Sequence, residues 1–344
     1  MNAFDSTCGG TAAPVRRRQL LAAVPCAALT ALLGAPAAWA QQPAGGFPNR
    51  PLRVIVPQPP GGGFDFVARA LADRLGPALG QSVVVENRTG SGTVVGTDAA
   101  AKSAPDGYTL LTGSVSNMVL NMGLYKQLSY DSLKDFEPVG LAVSYSYTLL
   151  GRNGLPFNNL AELVAFAKAN PGKLTYASAG NGSGQHVLAA ALWSLAGVDI
   201  VHVPYRGAQP AYADLLGDRV DLFFDLTPTT RAHVETGKLK AIAVSSAARN
   251  PMQPSVQTIN ESGVVKLDLE SWFGFFAPSK TPPEVLQRLR AELAKIIATP
   301  ELQDTFRKAG GSPMTISVAD TRAMLTRDVQ RWTGLIRAAN ISLD

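Results

Sequence analysis

A β-branched run, Arg53-Val-Ile-Val56, breaks at Pro57, passes through Gly61, Gly62 and Gly63, and continues as a segment with apolar residues at Val67, Leu71 and Leu75. The first piece has the composition of a buried strand and the last has helical spacing, with a turn of wide backbone freedom between them. A helix that opens from such a turn leaves its first N–H groups unpaired and points the positive end of its dipole into the loop. Such a place holds an anion, either a phosphate or a carboxylate. The nucleotide fingerprints do not match: G-x-G-x-x-G read from Gly61 puts Phe66 where the third glycine belongs, and no Gly-Lys-Ser/Thr follows. Phe64 and Asp65, a large apolar group and an acid at the helix opening, tilt the loop toward recognition rather than mere connection.

Residues 1–40 are set aside before any fold argument. Arg16-Arg17-Arg18 precedes an apolar run from Gln19 to Leu33, and Ala38-Trp39-Ala40 supplies small residues at the positions a signal peptidase reads. An export signal cut after Ala40 is expected, by the general secretory or the twin-arginine route. Both cysteines, Cys8 and Cys26, lie in this segment, so neither a disulfide framework nor a cysteine metal site is expected beyond it. The net charge of +5 falls to about +3 without the three arginines and Asp5 of that segment. The remaining cations are scattered, with no basic stripe interleaved with aromatics, which excludes a nucleic-acid footprint.

The rest of the chain is about twice the usual domain length, and two lobes are expected. Ser82-Val-Val-Val85 reads as a second strand and Tyr108-Thr-Leu-Leu-Thr112 as a third, which ends at Gly113-Ser114-Val-Ser116. In an open parallel sheet this carboxyl end lies beside the first loop, so Ser114 and Ser116 are candidates to reach the same ligand. Asn159 with Glu162 forms a helix-start signal. Lys173-Leu-Thr-Tyr-Ala177 then leads through Ser178-Ala-Gly-Asn-Gly-Ser-Gly184 into a second amphipathic segment, repeating the strand, glycine loop, helix device. Two donor-rich helix openings in separate lobes suggest a cleft between them. Arg219 to Phe224 is a buried strand that delivers Asp225 at its carboxyl end, and the chain crosses between lobes near 145–148 and 245–250, as a hinge requires.

Catalysis finds little support: there is no G-x-S-x-G elbow, and His186, His202 and His233 are not spaced for a joint metal site. His186, beside the second loop, reads first as a capping or packing residue. Asp65 and Asp225 read first as hydrogen-bonding acids rather than an acid/base pair.

Several stretches in this order carry a resemblance: Val56-Pro-Gln-Pro-Pro-Gly-Gly-Gly63, Val85-Glu-Asn-Arg88, Ala104-Pro-Asp-Gly-Tyr-Thr-Leu110, Ala169-Asn-Pro-Gly-Lys173, Tyr176-Ala-Ser-Ala-Gly-Asn-Gly-Ser183, His202-Val-Pro-Tyr205 and Trp272-Phe-Gly274. Together they resemble the substrate-binding proteins of tripartite tricarboxylate transporters, the Bug family. The resemblance implies an α/β, type II periplasmic-binding-protein fold, with two Rossmann-like lobes and a ligand cleft at the hinge. Residues 41–146 and 248–344 would form one lobe and 147–247 the other. It further implies a periplasmic, non-enzymatic, monomeric receptor that closes on a small carboxylate and presents it to membrane transporter subunits, with no cofactor and no metal. A ligand-presenting sensor is the alternative role, and an exported hydrolase a weaker one. Matched residue by residue, the site would comprise Gly62, Gly63, Phe64, Asp65, Ser114, Ser116, Ala179, Gly180, Asn181, Ser183 and Asp225, with Gln58 where an aromatic residue is common in the family. Phe64 in place of the usual threonine, together with Tyr145 and Tyr147 in the crossing segment, favours a longer or aromatic carboxylate over a simple aliphatic diacid.

Overall fold

Strand and helix alternate from the first glycine turn as far as β8 (Leu239–Val244). The computed structural model describes residues 46–338 and 341–343; the expected export signal lies outside the described residues. In chain order the elements are β1 (Leu52–Val56), α1 (Gly63–Leu79), β2 (Val83–Asn87), α2 (Val94–Ala101), β3 (Thr109–Ser114), α3 (Asn121–Leu124), β4 (Phe136–Arg152), α4 (Leu160–Ala169), β5 (Thr175–Ser178), α5 (Gly184–Ala196) and β6 (Val201–Pro204). They continue with α6 (Ala208–Leu216), β7 (Leu222–Leu226), α7 (Thr227–Glu235), β8 (Leu239–Val244), β9 (Glu270–Pro278), α8 (Pro283–Ile297), α9 (Pro300–Lys308), β10 (Gly311–Pro313) and α10 (Val318–Ala338).

Local sequence explains several boundaries. Val67, Leu71 and Leu75 are fully buried along one face of α1, and Gly80 ends the helix in the left-handed region at φ 68°. Asn159 caps α4 by accepting from the Glu162 N–H at 2.9 Å, while Glu162 reaches back to the Asn158 N–H.

The strands run β2-β1-β3-β9-β4-β7-β5-β6, with β8 and β10 also paired to β4. The β1–β2, β1–β3, β5–β6 and β5–β7 pairs are parallel, as the sequence order predicts. The 17-residue β4 belongs to both halves of the sheet. From Phe136 to Ser146 it pairs antiparallel with β9, and from Tyr147 to Gly151 with β7. The crossing segment is thus a continuous strand, and Tyr145 and Tyr147 stand on either side of its change of partner. No helix among the described residues is long and apolar enough to cross a membrane.

Candidate functional site

The α1 opening is built by Asp65, which acts as a brace rather than a wall. Its carboxylate accepts from the Gly61 N–H at 3.1 Å, from both ends of the Arg69 fork at 3.0 Å, and from Asn87 Nδ2 at 3.1 Å. Burial raises its pKa, but the bonds from Arg69, Gly61 and Asn87 outweigh that and hold the carboxyl below its ordinary value. Asn87 also donates to the Gln58 carbonyl at 2.9 Å, which ties the start of the loop to the same acid. With Asp65 so engaged, no side chain caps α1, and the N–H groups of Gly62, Gly63 and Phe64 meet no acceptor among the described residues.

The residues that carry them line a cavity of about 210 Å³. Gln58, Gly62, Gly63, Phe64, Ser116, Ala179 and Asp225, all singled out in the sequence, line it. Phe64 packs edge-on against Phe273, with ring centroids 5.2 Å apart, and both rings belong to the wall. Gly63 is required by close approach: a Cβ there would lie 2.4 Å from Leu226 Cδ1. The polar floor consists of Ser116, Tyr147, Gln185 and Ser271, each less than one-tenth exposed. Burial pushes the Tyr147 phenol far above its ordinary ionisation range, and the Ser271 and Ser116 hydroxyls lie beside it.

A second uncapped helix opens onto the same space. Gly207, at φ 102°, precedes α6 with no side-chain cap, and Arg206, Gly207, Ala208 and Gln209 all line the cavity. Neither the Ala208 nor the Gln209 N–H meets an acceptor among the described residues. The sequence analysis places the second opening at α5, where Gln185 carries the one first-turn N–H without an acceptor among the described residues and the others are taken. Ser183 caps α5, its hydroxyl accepting from the His186 N–H at 3.3 Å and donating to the Gly180 carbonyl at 2.7 Å. The Gly184 N–H donates to Ser116 Oγ at 3.1 Å. A Cβ at Gly184 would sit 2.1 Å from the Tyr147 hydroxyl, so this approach needs glycine.

Three further candidates move with that loop. Gly180, Asn181 and Ser183 line a larger outer cavity of about 680 Å³, bounded opposite by residues 89–93. Gln58, Pro59, Ala179, Arg206 and Gly207 border both cavities. Ser114 is drawn out of the wall altogether: it is fully buried, its hydroxyl 2.9 Å from that of Ser271 and its N–H donating to Asn117 Oδ1. Tyr145 likewise lines neither cavity; it packs on Phe273, and its hydroxyl has no partner among the described residues. Tyr147, by contrast, faces the inner cavity.

Behind the α5 loop, His186 stacks on His202 at 4.1 Å and His202 on Tyr176 at 4.8 Å. His186 Nδ1 accepts from the Gly182 N–H at 3.2 Å, and His202 Nε2 lies 2.7 Å from Ser178 Oγ. Burial lowers His186 to about 4; burial and the neighbouring His186 lower His202 to about 3. Both rings are neutral braces at pH 7. No group of three or more His, Cys, Asp or Glu among the described residues could hold a metal ion.

Sequence reasoning missed Gln185, Arg206, Gln209, Ser271 and Phe273. Arg206-Gly207 before the α6 segment was the available signal, since it repeats a glycine at a helix start.

Residues 67–341 match the family described as "Tripartite tricarboxylate transporter family receptor". The chain is 36% identical over 298 residues to "Protein BugT" of Bordetella pertussis, covering 86% of this chain and 91% of that one. Among solved structures it is similar to Rpa4515 of Rhodopseudomonas palustris with adipate, at TM-score 0.82 and 31% identity over 86% of this chain and all of that one. It is also similar to MatC of the same organism with bound malate, at TM-score 0.80 and 29% identity over 84% of this chain and 100% of that one. With two-lobed α/β architecture, motif order and length all matching, the chain belongs to the tripartite tricarboxylate transporter receptor family, within its Bug group.

Proposed function

We propose that this protein is a periplasmic receptor that takes a small organic carboxylate into the inner cavity and delivers it to a tripartite tricarboxylate-type transporter. The observation that carries this reading is the pair of uncapped helix openings, α1 and α6, that line one cavity with buried hydroxyls between them. Backbone N–H groups at a helix start bind an anion without a dedicated cation, and their dipoles add to the attraction. Adipate and malate, the acids held by the two structural neighbours, are both dicarboxylates.

In this reading residues 41–146 and 248–344 form one lobe, residues 147–247 the other, and β4 is the hinge between them. Gly62, Gly63, Phe64 and Ser116 grip from the first lobe, and Ala179, Gln185 and Asp225 stand on the second. Ligand favours the closed form only by its difference in affinity for the two forms, and turning 1:99 into 99:1 takes about 5.5 kcal/mol. Two or three charge-assisted hydrogen bonds at about 1.5–3 kcal/mol each supply that. The protein acts as a monomer without catalysis, after loss of its export signal at Ala40.

A thermal-shift screen of mono-, di- and aromatic carboxylates against their methyl esters tests the reading. Free acids are expected to raise the melting temperature by mass action while the esters leave it unchanged. Equal responses to acids and esters would overturn it.

A further inference from the structure

Gln185, in the first turn of α5, lines the inner cavity with only 7% of its surface exposed. Its Nε2 donates to Asp225 Oδ1 at 3.0 Å. Asp225 is itself 2% exposed, and Thr229 Oγ1 lies 2.5 Å from its other oxygen. Which way a glutamine amide points is set by its partners. Here the Gln185 NH2 group faces Asp225, whose pKa burial raises while the bonds from Thr229, the Leu226 backbone and Gln185 oppose that rise. The Gln185 carbonyl oxygen accepts from nothing among the described residues and is left for the cavity.

The cradle of α1 and α6 supplies donors, suited to a carboxylate. Gln185 adds a buried acceptor of fixed polarity to the same space. We propose that Gln185, oriented by Asp225, is a specificity determinant that reads a hydrogen-bond donor on the ligand, so that the protein selects carboxylates bearing a hydroxyl or ammonium group over the unsubstituted acids. Gln185 touches the ligand, whereas Asp225 is a positioning residue that acts through it. An unsubstituted acid would cover the Gln185 carbonyl without satisfying it, and a site built to pair a polar group discriminates strongly against the analogue that lacks it.

This inference rests on the carboxylate reading, and the test separates the two. Protein purified from the periplasm is titrated by calorimetry with three matched series: propionate, lactate and alanine; succinate, malate and aspartate; glutarate, 2-hydroxyglutarate and glutamate. In the series that binds, the hydroxy or amino acid is expected to bind about tenfold or more tighter than the unsubstituted parent. Tighter binding of the hydroxy member assigns a neutral donor, and of the amino member an ammonium. Gln185→Met is expected to abolish the preference, read as the ratio of the two affinities within that variant whatever its overall affinity. Asp225→Asn, which lets the amide turn either way, is expected to narrow the ratio even where overall affinity also changes. Equal binding within every series by the wild type, or a preference that survives in Gln185→Met, overturns the inference and leaves carboxylate capture standing. Binding of none of the nine overturns this inference, and the screen of acids against esters then decides the carboxylate reading by itself.

Discussion

The two glycine loops look alike in sequence and are built for opposite purposes. At α1 the only acid of the first turn is consumed by Gly61, Arg69 and Asn87, so the helix opening has no cap and faces the cavity. At α5 most of the donors are spent: Ser183 caps the helix, Ser116 takes the Gly184 N–H from across the chain, and His186 takes the Gly182 N–H from behind, which leaves the Gln185 N–H. The difference teaches that a glycine-rich helix start becomes a binding site only when its neighbours decline its donors. The further free donors come from α6, whose Gly207 offers no side chain to cap it.

Acid should break the α5 loop first and most. The ordinary histidine pKa is 6.5, and burial holds His186 at about 4 and His202 at about 3 in the folded chain. Above pH 6.5 the histidines are neutral whether folded or unfolded, and stability does not depend on them. As pH falls from 6.5 toward 4 the unfolded chain binds protons that the folded chain refuses, so stability drops by up to about 1.4 kcal/mol per pH unit per histidine. The loss levels off below about 3, where the folded rings also protonate. Urea denaturation at successive pH values measures this slope, and His202→Phe should roughly halve it. The α1 loop keeps its contribution over most of that window, because the Asp65 carboxyl is held below its ordinary value and its stabilisation is lost only as pH falls past the unfolded carboxylate range toward that lowered pKa.

Gly63→Ala should damage the open loop. Its Cβ would overlap Leu226 and crowd Phe273, destabilising by about 1–3 kcal/mol and narrowing the cavity. Chemical denaturation and ligand titration should therefore both register the change. The smallest effect is expected at Ser183→Ala, which removes a cap worth about 1 kcal/mol. Its apo melting temperature should fall, while affinity for an inner-cavity ligand changes little. A loss of affinity with unchanged melting would instead make Ser183 a ligand contact, as its place in the motif implies.

Much of the α1 side of the inner cavity was legible because its signals are local. Pro57 to Asp65 is one continuous turn, and a glycine run before an amphipathic segment announces unpaired N–H groups without reference to the rest of the chain. The same reasoning overreached at Asp65, Ser114 and Ser183, whose side chains are polar and well placed in sequence but are spent on partners 4 to 157 positions away or on their own loop. Gln185 was illegible for a similar reason, since a glutamine in a helix reads as an exposed residue until Asp225 is found 40 positions on.

The sequence by itself determined the repeated glycine device, the family, and the order of most strands and helices though not the central β4, because these depend on spacing along the chain and on short motifs. Only the tertiary structure decided which helix openings remain free, that β4 carries Tyr145 away from the cavity and Tyr147 into it, and that Gln185 meets a buried acid beside that cavity. Hydrogen-bond satisfaction is settled by neighbours in space, and a donor's availability is known only once all its possible acceptors have been placed.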